Sequence, residues 1–342
     1  MRAVRDVGSP ADTIASVSGR ISTRRRGPSP TRHRDAGVAL GLLAGFTADR
    51  VLGDPRRWHP VAGIGHAAGA AERMLYRDNR PAGVVFAAIC VGAGWAVGEL
   101  VGRVPATRTR VVVTALATWS VLGGTTLVRV GDAMADALDA DDIESARQLV
   151  PSLCGRDPEA LDEAGIARAA LESIAENTSD AAVAPLVWAA CAGLPGLIVY
   201  RVVNTLDAMV GHRDDRYRRF GWAAARLDDL ANLAPARLTG VLTVVLGGAP
   251  AGALRSWRRD AAAHPSPNAG VVEATFAGAL GVTLGGRTEY PYGVELRPLL
   301  GDGPAPATSD LRAAVVLSRR VQTAAAIGAA TAAFLVSRRS GR

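Results

Sequence analysis

Two stretches of the sequence repeat the pattern Asn-Thr-x-Asp at the two ends of an apolar segment. Asn177 and Asp180 belong to the first stretch, and Asn204 and Asp207 belong to the second. Polar groups at the mouth of an apolar segment are costly unless they are paired or used. Because Mg²⁺ favours oxygen ligands, Asp180 and Asp207 could share such an ion if the segment between them folds back as a hairpin.

Plainer interpretations compete for the same residues. Asp180 stands where an apolar helix begins, so it could serve as the N-cap of that helix. Glu172 lies four residues after Arg168 on one predicted helix face, so the two could form an ion pair. Arg201 could likewise form a membrane-buried ion pair with Asp207.

Four further polar blocks offer candidates for substrate binding. Two of them lie in turns rich in proline, and a glycine precedes the Arg-Asp pair of a third, which suits contact with a phosphate. The blocks contain Asp54 and His59, Arg156 and Asp157, Arg213 with Asp228 and Asp229, and His264 with Ser266 and Asn268. Each block also has a structural interpretation, as a capped turn, a surface ion pair or a solvated charged face. Ser266 has no adjacent carboxylate to complete a nucleophilic triad, which argues against it as a nucleophile.

The elements that must position these residues are apolar segments of membrane-spanning length. Each is about 16 to 20 residues long, and a soluble helical bundle would hardly contain four of them. They are Ala36–Gly53, Gly83–Val101, Val111–Val128, Ala181–Tyr200 and Val321–Val336. The sequence therefore predicts an all-α, polytopic integral membrane protein with about four to six membrane helices joined by helical loops.

One of these segments has two possible paths. Ala181–Tyr200 contains Leu-Pro-Gly at 194–196, which is a strong turn signal. The segment is therefore either a single span or a helical hairpin whose arms return to the same side. A short β-hairpin around Gly281–Leu296 is the only strand pair that the sequence suggests.

Composition excludes several kinds of chemistry. The sequence contains no lysine, so all 39 basic residues are arginine, and neither a P-loop lysine nor a lysine Schiff base is available. The three cysteines lie far apart, mostly in apolar runs, which indicates neither a disulfide scaffold nor a zinc site. The arginines are interspersed with carboxylates, which argues against nucleic-acid binding.

The N-terminal region differs from the rest of the chain. Residues 1–35 are rich in arginine, serine, proline and glycine, which predicts a disordered tail. Such a tail could be solvated, or it could contact an anionic cytoplasmic leaflet. Residues 36–342 are expected to form a single membrane-embedded catalytic domain.

In their order and spacing, these blocks resemble the cobalamin biosynthesis family CobD/CbiB, the adenosylcobinamide-phosphate synthases. The resemblance covers roughly residues 37 to 320 and is carried by six main blocks. These are Gly53-Asp54-Pro55, Gly155-Arg156-Asp157, Glu176-Asn177-Thr178-Ser179-Asp180, Val203-Asn204-Thr205-Leu206-Asp207, the run from Phe220 to Asp229, and His264-Pro265-Ser266-Pro267-Asn268. Among small departures, His212 stands where the family often has tyrosine, so the role of that position is open.

The resemblance implies an ATP-dependent amide ligase that is a multi-pass protein of the cell (inner) membrane. It would join (R)-1-amino-2-propanol or its O-phosphate to adenosylcobyric acid and give adenosylcobinamide or its phosphate. ATP and Mg²⁺ are the expected cofactors, and the corrinoid is a substrate. The expected partners are these substrates and the lipid bilayer, with other late cobalamin-pathway membrane proteins as further candidates. A competing class is a corrinoid transporter or assembly scaffold without ligase activity.

With this activity, Glu176, Asp180 and Asp207 are the expected ligands of the metal and of ATP. His59 and His264 are candidates for substrate binding or proton transfer. Further substrate or ATP contacts are expected from the remaining polar residues of the blocks, which are Asp54, Arg156, Asp157, Asn177, Arg201, Asn204, Arg213, Asp228, Asp229, Ser266 and Asn268.

Overall fold

A computed structural model describes residues 30–54, 60–104, 106–212, 214–290 and 293–339. These residues form twelve α-helices and one two-stranded antiparallel sheet. The helices are α1 (Pro30–Leu52), α2 (Pro60–Leu75), α3 (Arg80–Gly102), α4 (Thr107–Val121), α5 (Gly124–Asp139), α6 (Ile143–Leu149), α7 (Glu163–Thr178), α8 (Ala184–Val210), α9 (Trp222–Leu246), α10 (Pro250–Asp260), α11 (Ala269–Leu280) and α12 (Thr308–Arg339). The strands are β1 (Leu284–Tyr290) and β2 (Gly293–Leu300). Two predicted site residues, His59 and Arg213, lie outside the described residues, as do residues 1–29 of the predicted tail. The tail was predicted to extend to residue 35, but α1 already begins at Pro30.

Within the described ranges, four helical segments are long and apolar enough to cross a membrane. They are Arg80–Gly102, Thr107–Asp139, Glu163–Val210 and Trp222–Leu246. Together with a helix content of about 78%, they confirm the predicted all-α, polytopic membrane class. The predicted segments 36–53 and 321–336 form parts of α1 and α12, which pack against each other and are not among the four.

The outer face of α3 shows how this protein meets an apolar solvent. Val85, Ile89, Trp95 and Leu100 are all exposed, although each is apolar. In water such a surface would be costly, whereas in a bilayer it contacts lipid tails. The opposite face of α3 packs closely on α8. Gly98 lies against the backbone of Pro195 there, and a side chain at position 98 would prevent this close approach.

The run from α7 to α8 reverses direction. α7 continues into a single wide π-helical turn, Ser179–Val183, and α8 follows directly. In a straight helix Asp180 and Tyr200 would lie about 30 Å apart, because each residue adds about 1.5 Å. The Tyr200 hydroxyl instead lies 3.1 Å from the Asp180 carbonyl oxygen. The segment is therefore a hairpin, and the single-span alternative is wrong.

Gly193 makes this reversal. Its backbone has φ +63° and ψ −150°, a conformation open essentially to glycine alone. Pro195 follows two residues later and lacks the N–H group that would continue the helix. The break divides α8 into a short arm before Gly193 and a long arm after it.

The β-hairpin packs against α7 rather than standing alone. A two-stranded sheet is only marginally stable by itself. Here Arg168 on α7 donates hydrogen bonds to the carbonyl oxygens of Gly285 and Arg287, both at 2.8 Å. Glu172, one turn later, accepts a hydrogen bond from the Gly285 N–H at 2.8 Å. The predicted β-hairpin is thus confirmed, and α7 fixes the position of both strands relative to the hairpin formed by α7 and α8.

Candidate active site

A cavity of about 830 Å³ lies where the π-helical turn, the long arm of α8, the first half of α9, the loop before α11 and strand β2 meet. Ten of the sixteen predicted site residues line it. They are Glu176, Asn177, Asp180, Asn204, Asp207, Asp228, Asp229, His264, Ser266 and Asn268. Residues from four separate parts of the sequence are therefore assembled at one place by the reversal at Gly193 and by the packing of α9 and α11 against it.

The π-helical turn presents the first group of polar side chains. Asp180 lies inside this turn, within a continuous helical path, so the interpretation of Asp180 as an N-cap is wrong. The Asn177 amide N–H group donates to the carbonyl and hydroxyl oxygens of Ser173, at 3.0 and 3.1 Å. These bonds fix the Asn177 side chain and leave its carbonyl oxygen as a free acceptor. π-Helical turns recur at functional sites, because the extra residue changes which side chains share a helix face.

A polar network joins the π-helical turn and the long arm of α8 to α9. The Tyr200 hydroxyl lies 2.9 Å from the Asn232 side-chain oxygen, and the Asn232 amide donates to Asp228 at 3.0 Å. The Asn204 amide approaches the other oxygen of Asp228 at 3.5 Å. Tyr200 also contacts the Asp180 carbonyl oxygen. This network fixes Asp228, the π-helical turn and the long arm of α8 relative to one another. Tyr200 and Asn232 were not among the predicted site residues.

Two carboxylates in the cavity have no hydrogen-bond or ion-pair partner among the described residues, although Glu176 lies within electrostatic range of Arg297. Within the described part of the chain, no residue donates a hydrogen bond to the side chain of Glu176 or Asp207, and neither forms an ion pair. Arg201 does not pair with Asp207 among the described residues; its Nη1 lies 3.3 Å from the Asn204 oxygen instead. The predicted Arg201–Asp207 ion pair is therefore wrong. Glu176 and Asp207 are free to contact a ligand.

The acidic wall of the cavity attracts cations. Six carboxylates line the cavity, and five of them form the acidic wall, where Asp180 lies within electrostatic range of three of the others. The five are Glu176, Asp180, Asp207, Asp228 and Asp229, and the sixth, Glu295, lies on β2. Among the described residues no group of three or more His, Cys, Asp or Glu side chains is close enough to hold a metal ion by itself. Mg²⁺ that arrives with a nucleotide needs only one or two protein carboxylates, because phosphates and water complete its shell. The oxygen donors present fit that kind of binding rather than a closed protein cage.

The loop before α11 forms the facing wall. The Ser266 hydroxyl accepts hydrogen bonds from the backbone N–H groups of Asn268 and Ala269, at 3.3 and 3.2 Å. The Asn268 amide donates to the Asp229 carbonyl oxygen at 2.8 Å, and Arg237 donates to the Asn268 oxygen at 2.8 Å. Ser266 and Asn268 thus line the cavity and also fix the loop against α9.

A buried charge network behind this wall was not predicted. Glu172 forms ion pairs with Arg156 and, at 3.2 Å, with Arg297 of β2. Arg297 also contacts Glu273 of α11 at 3.1 Å and the Nε2 atom of His264 at 2.5 Å. The predicted pairing of Glu172 with Arg168 is therefore wrong, because Arg168 binds the backbone of the β-hairpin instead. Arg297 is the only arginine among the described residues that line the cavity.

His264 has no free ring nitrogen in this arrangement. A guanidinium group only donates, so the Nε2 atom of His264 must accept from Arg297. The Nδ1 atom of His264 faces the Ser266 backbone, with the Ser266 nitrogen at 3.0 Å and the Ser266 carbonyl oxygen at 3.2 Å. Burial, followed by the charge of Arg297, lowers the pKa of His264 below its ordinary value and supports the neutral form. The geometry favours a positioning role over the predicted proton transfer.

Four other predicted residues do not line the cavity. Arg156 is buried against Glu172, and the Asp157 carboxylate caps a short turn by accepting from the Glu159 N–H at 3.1 Å. Arg201 lies beside Asn204, as described above. Asp54 has a buried carboxylate oxygen for which the described residues offer no hydrogen-bond donor. Arg156 and Asp157 therefore have structural partners, and their substrate contacts stay a prediction.

Comparison with known proteins gives a consistent result. A family model described as "CobD/Cbib protein" matches residues 42–318. A protein of Mycobacterium tuberculosis named "Cobalamin biosynthesis protein CobD" is 56% identical over 305 residues, covering 88% of this chain and 96% of that protein. A protein with the same name from Rhodobacter capsulatus is 43% identical, over 83% of this chain and 91% of that protein. Another from Chromobacterium violaceum is 41% identical, over 82% of this chain and 92% of that protein. No solved structure matches the chain.

Proposed function

The chain belongs to the CobD/CbiB family of cobalamin biosynthesis proteins, and from this premise we propose that it is an ATP-dependent amide ligase. It joins (R)-1-amino-2-propanol or its O-phosphate to adenosylcobyric acid, giving adenosylcobinamide or its phosphate, as a multi-pass protein of the cell (inner) membrane. One observation carries the proposal: Glu176 and Asp207, which no described residue pairs with or donates a hydrogen bond to, line a large cavity that the guanidinium of Arg297 also lines. Such a cavity suits substrates and cofactors of both charges.

The reaction requires an activated carboxylate. A carboxylate oxygen of the acid attacks the terminal phosphorus of ATP, ADP leaves, and an acyl phosphate forms. The amine nitrogen then attacks the acyl carbon, inorganic phosphate leaves with the C–O bond electrons, and the nitrogen loses a proton. The cavity must therefore accommodate a triphosphate, a carboxylate and an amine in attack geometry.

The acidic wall would serve the triphosphate, through Mg²⁺, and the amine. One or two of the carboxylates of Glu176, Asp180 and Asp207 would hold Mg²⁺ that arrives with ATP, helped by the side-chain oxygens of Asn177 and Asn204. When bound, Mg²⁺ offsets the negative charge of the triphosphate during phosphoryl transfer. The same wall attracts the ammonium form of the amine, and a carboxylate there accepts the proton that the nitrogen must lose.

Replacement of Asp207 by asparagine tests the proposal. Asparagine has nearly the same shape but no charge, so we expect ligation to fall by at least about 100-fold, the usual loss for one such electrostatic contact. The wild type, Asp207→Asn and the matched control Asp78→Asn would be incubated in nanodiscs with adenosylcobyric acid, Mg-ATP and either amine. Asp78 is exposed and pairs only with Arg219 among the described residues. The corrinoid mass would then be measured.

Each outcome separates the alternatives. A gain in wild-type corrinoid mass of one amine less water, dependent on ATP, supports the ligase and identifies the preferred amine. Full activity in Asp207→Asn would contradict the metal assignment. A well-folded wild type that binds corrinoid but never changes its mass would favour the transporter or scaffold alternative.

A further inference from the structure

Arg297 is the single positive group on the cavity wall among the described residues, and the structure leaves part of it available. Its Nη1 and Nη2 atoms contact Glu172, Glu273 and His264. These contacts use three of the five N–H donors of a guanidinium group. The side chain lines the cavity and remains 19% exposed, whereas Glu172 and Glu273 are 4% and 1% exposed. The remaining donors can therefore reach a ligand in the cavity.

The partners of Arg297 orient it without fully neutralising it. Burial raises the pKa of Glu273 well above its ordinary value and favours the uncharged acid. His264 is also uncharged, as described above. Two guanidinium groups, those of Arg156 and Arg297, share the carboxylate of Glu172, and Glu176 also lies within electrostatic range of Arg297. Among the described residues, Arg297 is the only arginine of this network that lines the cavity.

The position of Arg297 relative to the five carboxylates defines its ligand. Those five carboxylates occupy the wall formed by the end of α7, the π-helical turn, α8 and α9, whereas Arg297 reaches the cavity from β2 together with one carboxylate, Glu295. A cationic amine is attracted to the first wall and repelled by Arg297. A carboxylate is attracted to Arg297 and repelled by the acidic wall, and charge-assisted contacts of this kind are the stronger hydrogen bonds.

Resting on the proposed function, we propose that Arg297 binds the carboxylate of the acid substrate, and that Glu172, Glu273 and His264 position its guanidinium group. The two reacting groups are then held on opposite walls and face each other across the cavity. Amide formation removes the negative charge that Arg297 binds. The product therefore loses this contact, whereas the acid substrate retains it.

Binding without turnover tests the assignment. Wild type and Arg297→Gln in nanodiscs would be dialysed to equilibrium against adenosylcobyric acid or against the amide product adenosylcobinamide, without ATP, and bound corrinoid would be measured by its visible absorbance. We expect Arg297→Gln to bind the acid about 10- to 100-fold more weakly, the range for a lost charge-assisted hydrogen bond. The affinity for the amide product should stay within about twofold.

Arg287→Gln is the matched control. Arg287 lies on the same β-hairpin and is 67% exposed, but its side chain pairs with Glu289 and does not line the cavity. Its backbone carbonyl, which Arg168 contacts, is unchanged by the substitution. We expect this variant to bind acid and product as the wild type does.

The positioning residues need a readout that a purely structural role would not change. His264→Gln and Glu273→Gln each retain an acceptor toward Arg297, so the ratio of acid affinity to product affinity should stay close to that of the wild type. His264→Ala and Glu273→Ala remove the acceptor and should lower this ratio. Each alanine variant combined with Arg297→Gln should have no further effect on the ratio, because the residues act through one guanidinium group.

The possible results are distinguishable. If Arg297→Gln weakens acid and product equally, or leaves the acid affinity unchanged, the carboxylate assignment is overturned while the proposed ligase stands. If turnover assays show a raised KM only for ATP or for the phosphorylated amine, Arg297 binds a phosphate and the assignment is also overturned. A wild type that binds acid but forms no amide would contradict the proposed function rather than the role of Arg297 in acid binding.

Discussion

Replacement of Glu172 by alanine would remove the carboxylate that three separate parts of the fold share. Glu172 pairs with Arg156 and with Arg297, and it accepts the N–H group of Gly285. The substitution leaves two guanidinium groups close together without their common counter-charge, and it frees one end of the β-hairpin. We therefore expect a large loss of stability together with local loosening of strands β1 and β2.

The magnitude follows from burial. Removal of one partner from a buried ion pair typically costs about 3–5 kcal/mol, because the other charge stays buried and unpaired. Unfolding entropy is about 2.1 cal/mol/K per residue, or about 0.7 kcal/mol/K for 342 residues. Division of the first figure by the second predicts a fall in Tm of about 4–7 °C for Glu172→Ala.

Glu144→Ala provides the control. Glu144 also pairs with an arginine, Arg147, but at 4.0 Å and with 66% of its side chain exposed. Exposed pairs contribute about 0–1 kcal/mol, so this variant should lose less than about 1.5 °C. Tm would be measured by intrinsic fluorescence in the same detergent for the wild type and both variants.

Hydrogen exchange supplies the second measurement. In Glu172→Ala the backbone amides of residues 284–300 should exchange faster, whereas amides within α5 should not change. Glu172→Gln keeps one acceptor oxygen, so it should fall between the wild type and the alanine variant. If Glu172→Ala and Glu144→Ala lowered Tm equally, the buried network would not stabilise the fold as we argue.

Three further outcomes are expected. Gly193→Ala places a side chain at φ +63° and ψ −150°, which costs about 1–3 kcal/mol and should lower Tm in a detergent melt. Tyr200→Phe leaves the buried Asn232 oxygen without its partner and should cost about 1–3 kcal/mol, measured in the same melt. Ion pairing with Arg259 holds the pKa of Asp260 below its ordinary value. The ionised Asp260 therefore stabilises the fold above about pH 4, and this stabilisation is lost as the pH falls further. Tm measured against pH should show the loss in the wild type and not in Asp260→Asn.

The membrane class could be predicted from the sequence because long apolar segments are an unambiguous physical signal. The path of residues 181–200 could not, because Leu-Pro-Gly is compatible with a kink as well as with a reversal. The deciding feature is the backbone of Gly193, which lies one residue before that motif. A single glycine in an apolar segment carries no indication of the sign of its φ angle.

The acidic wall could also be predicted, because polar residues stand out in apolar sequence. Glu273 carries the same signal, as the only charged residue of α11, and it could have been found in this way. Arg297 gave no signal, because it stands two residues after Glu295 in a strand of mixed apolar and charged residues that is typical of an exposed hairpin. Its partners are distant in sequence, and Glu172 is 125 positions away. Pairings of that kind depend on tertiary structure and cannot be read from one sequence.

The reversal at Gly193 explains why two Asn-Thr-x-Asp stretches exist in this chain. The helical run Glu163–Val210 has 48 residues and would be about 72 Å long if straight, more than twice the thickness of a hydrocarbon core of about 30 Å. Asp180 and Asp207 would then lie about 40 Å apart and could not share a ligand. Folding at Gly193 brings both into one cavity. The apolar residues between the two stretches therefore form a spacer whose length and break determine whether the acidic wall exists at all.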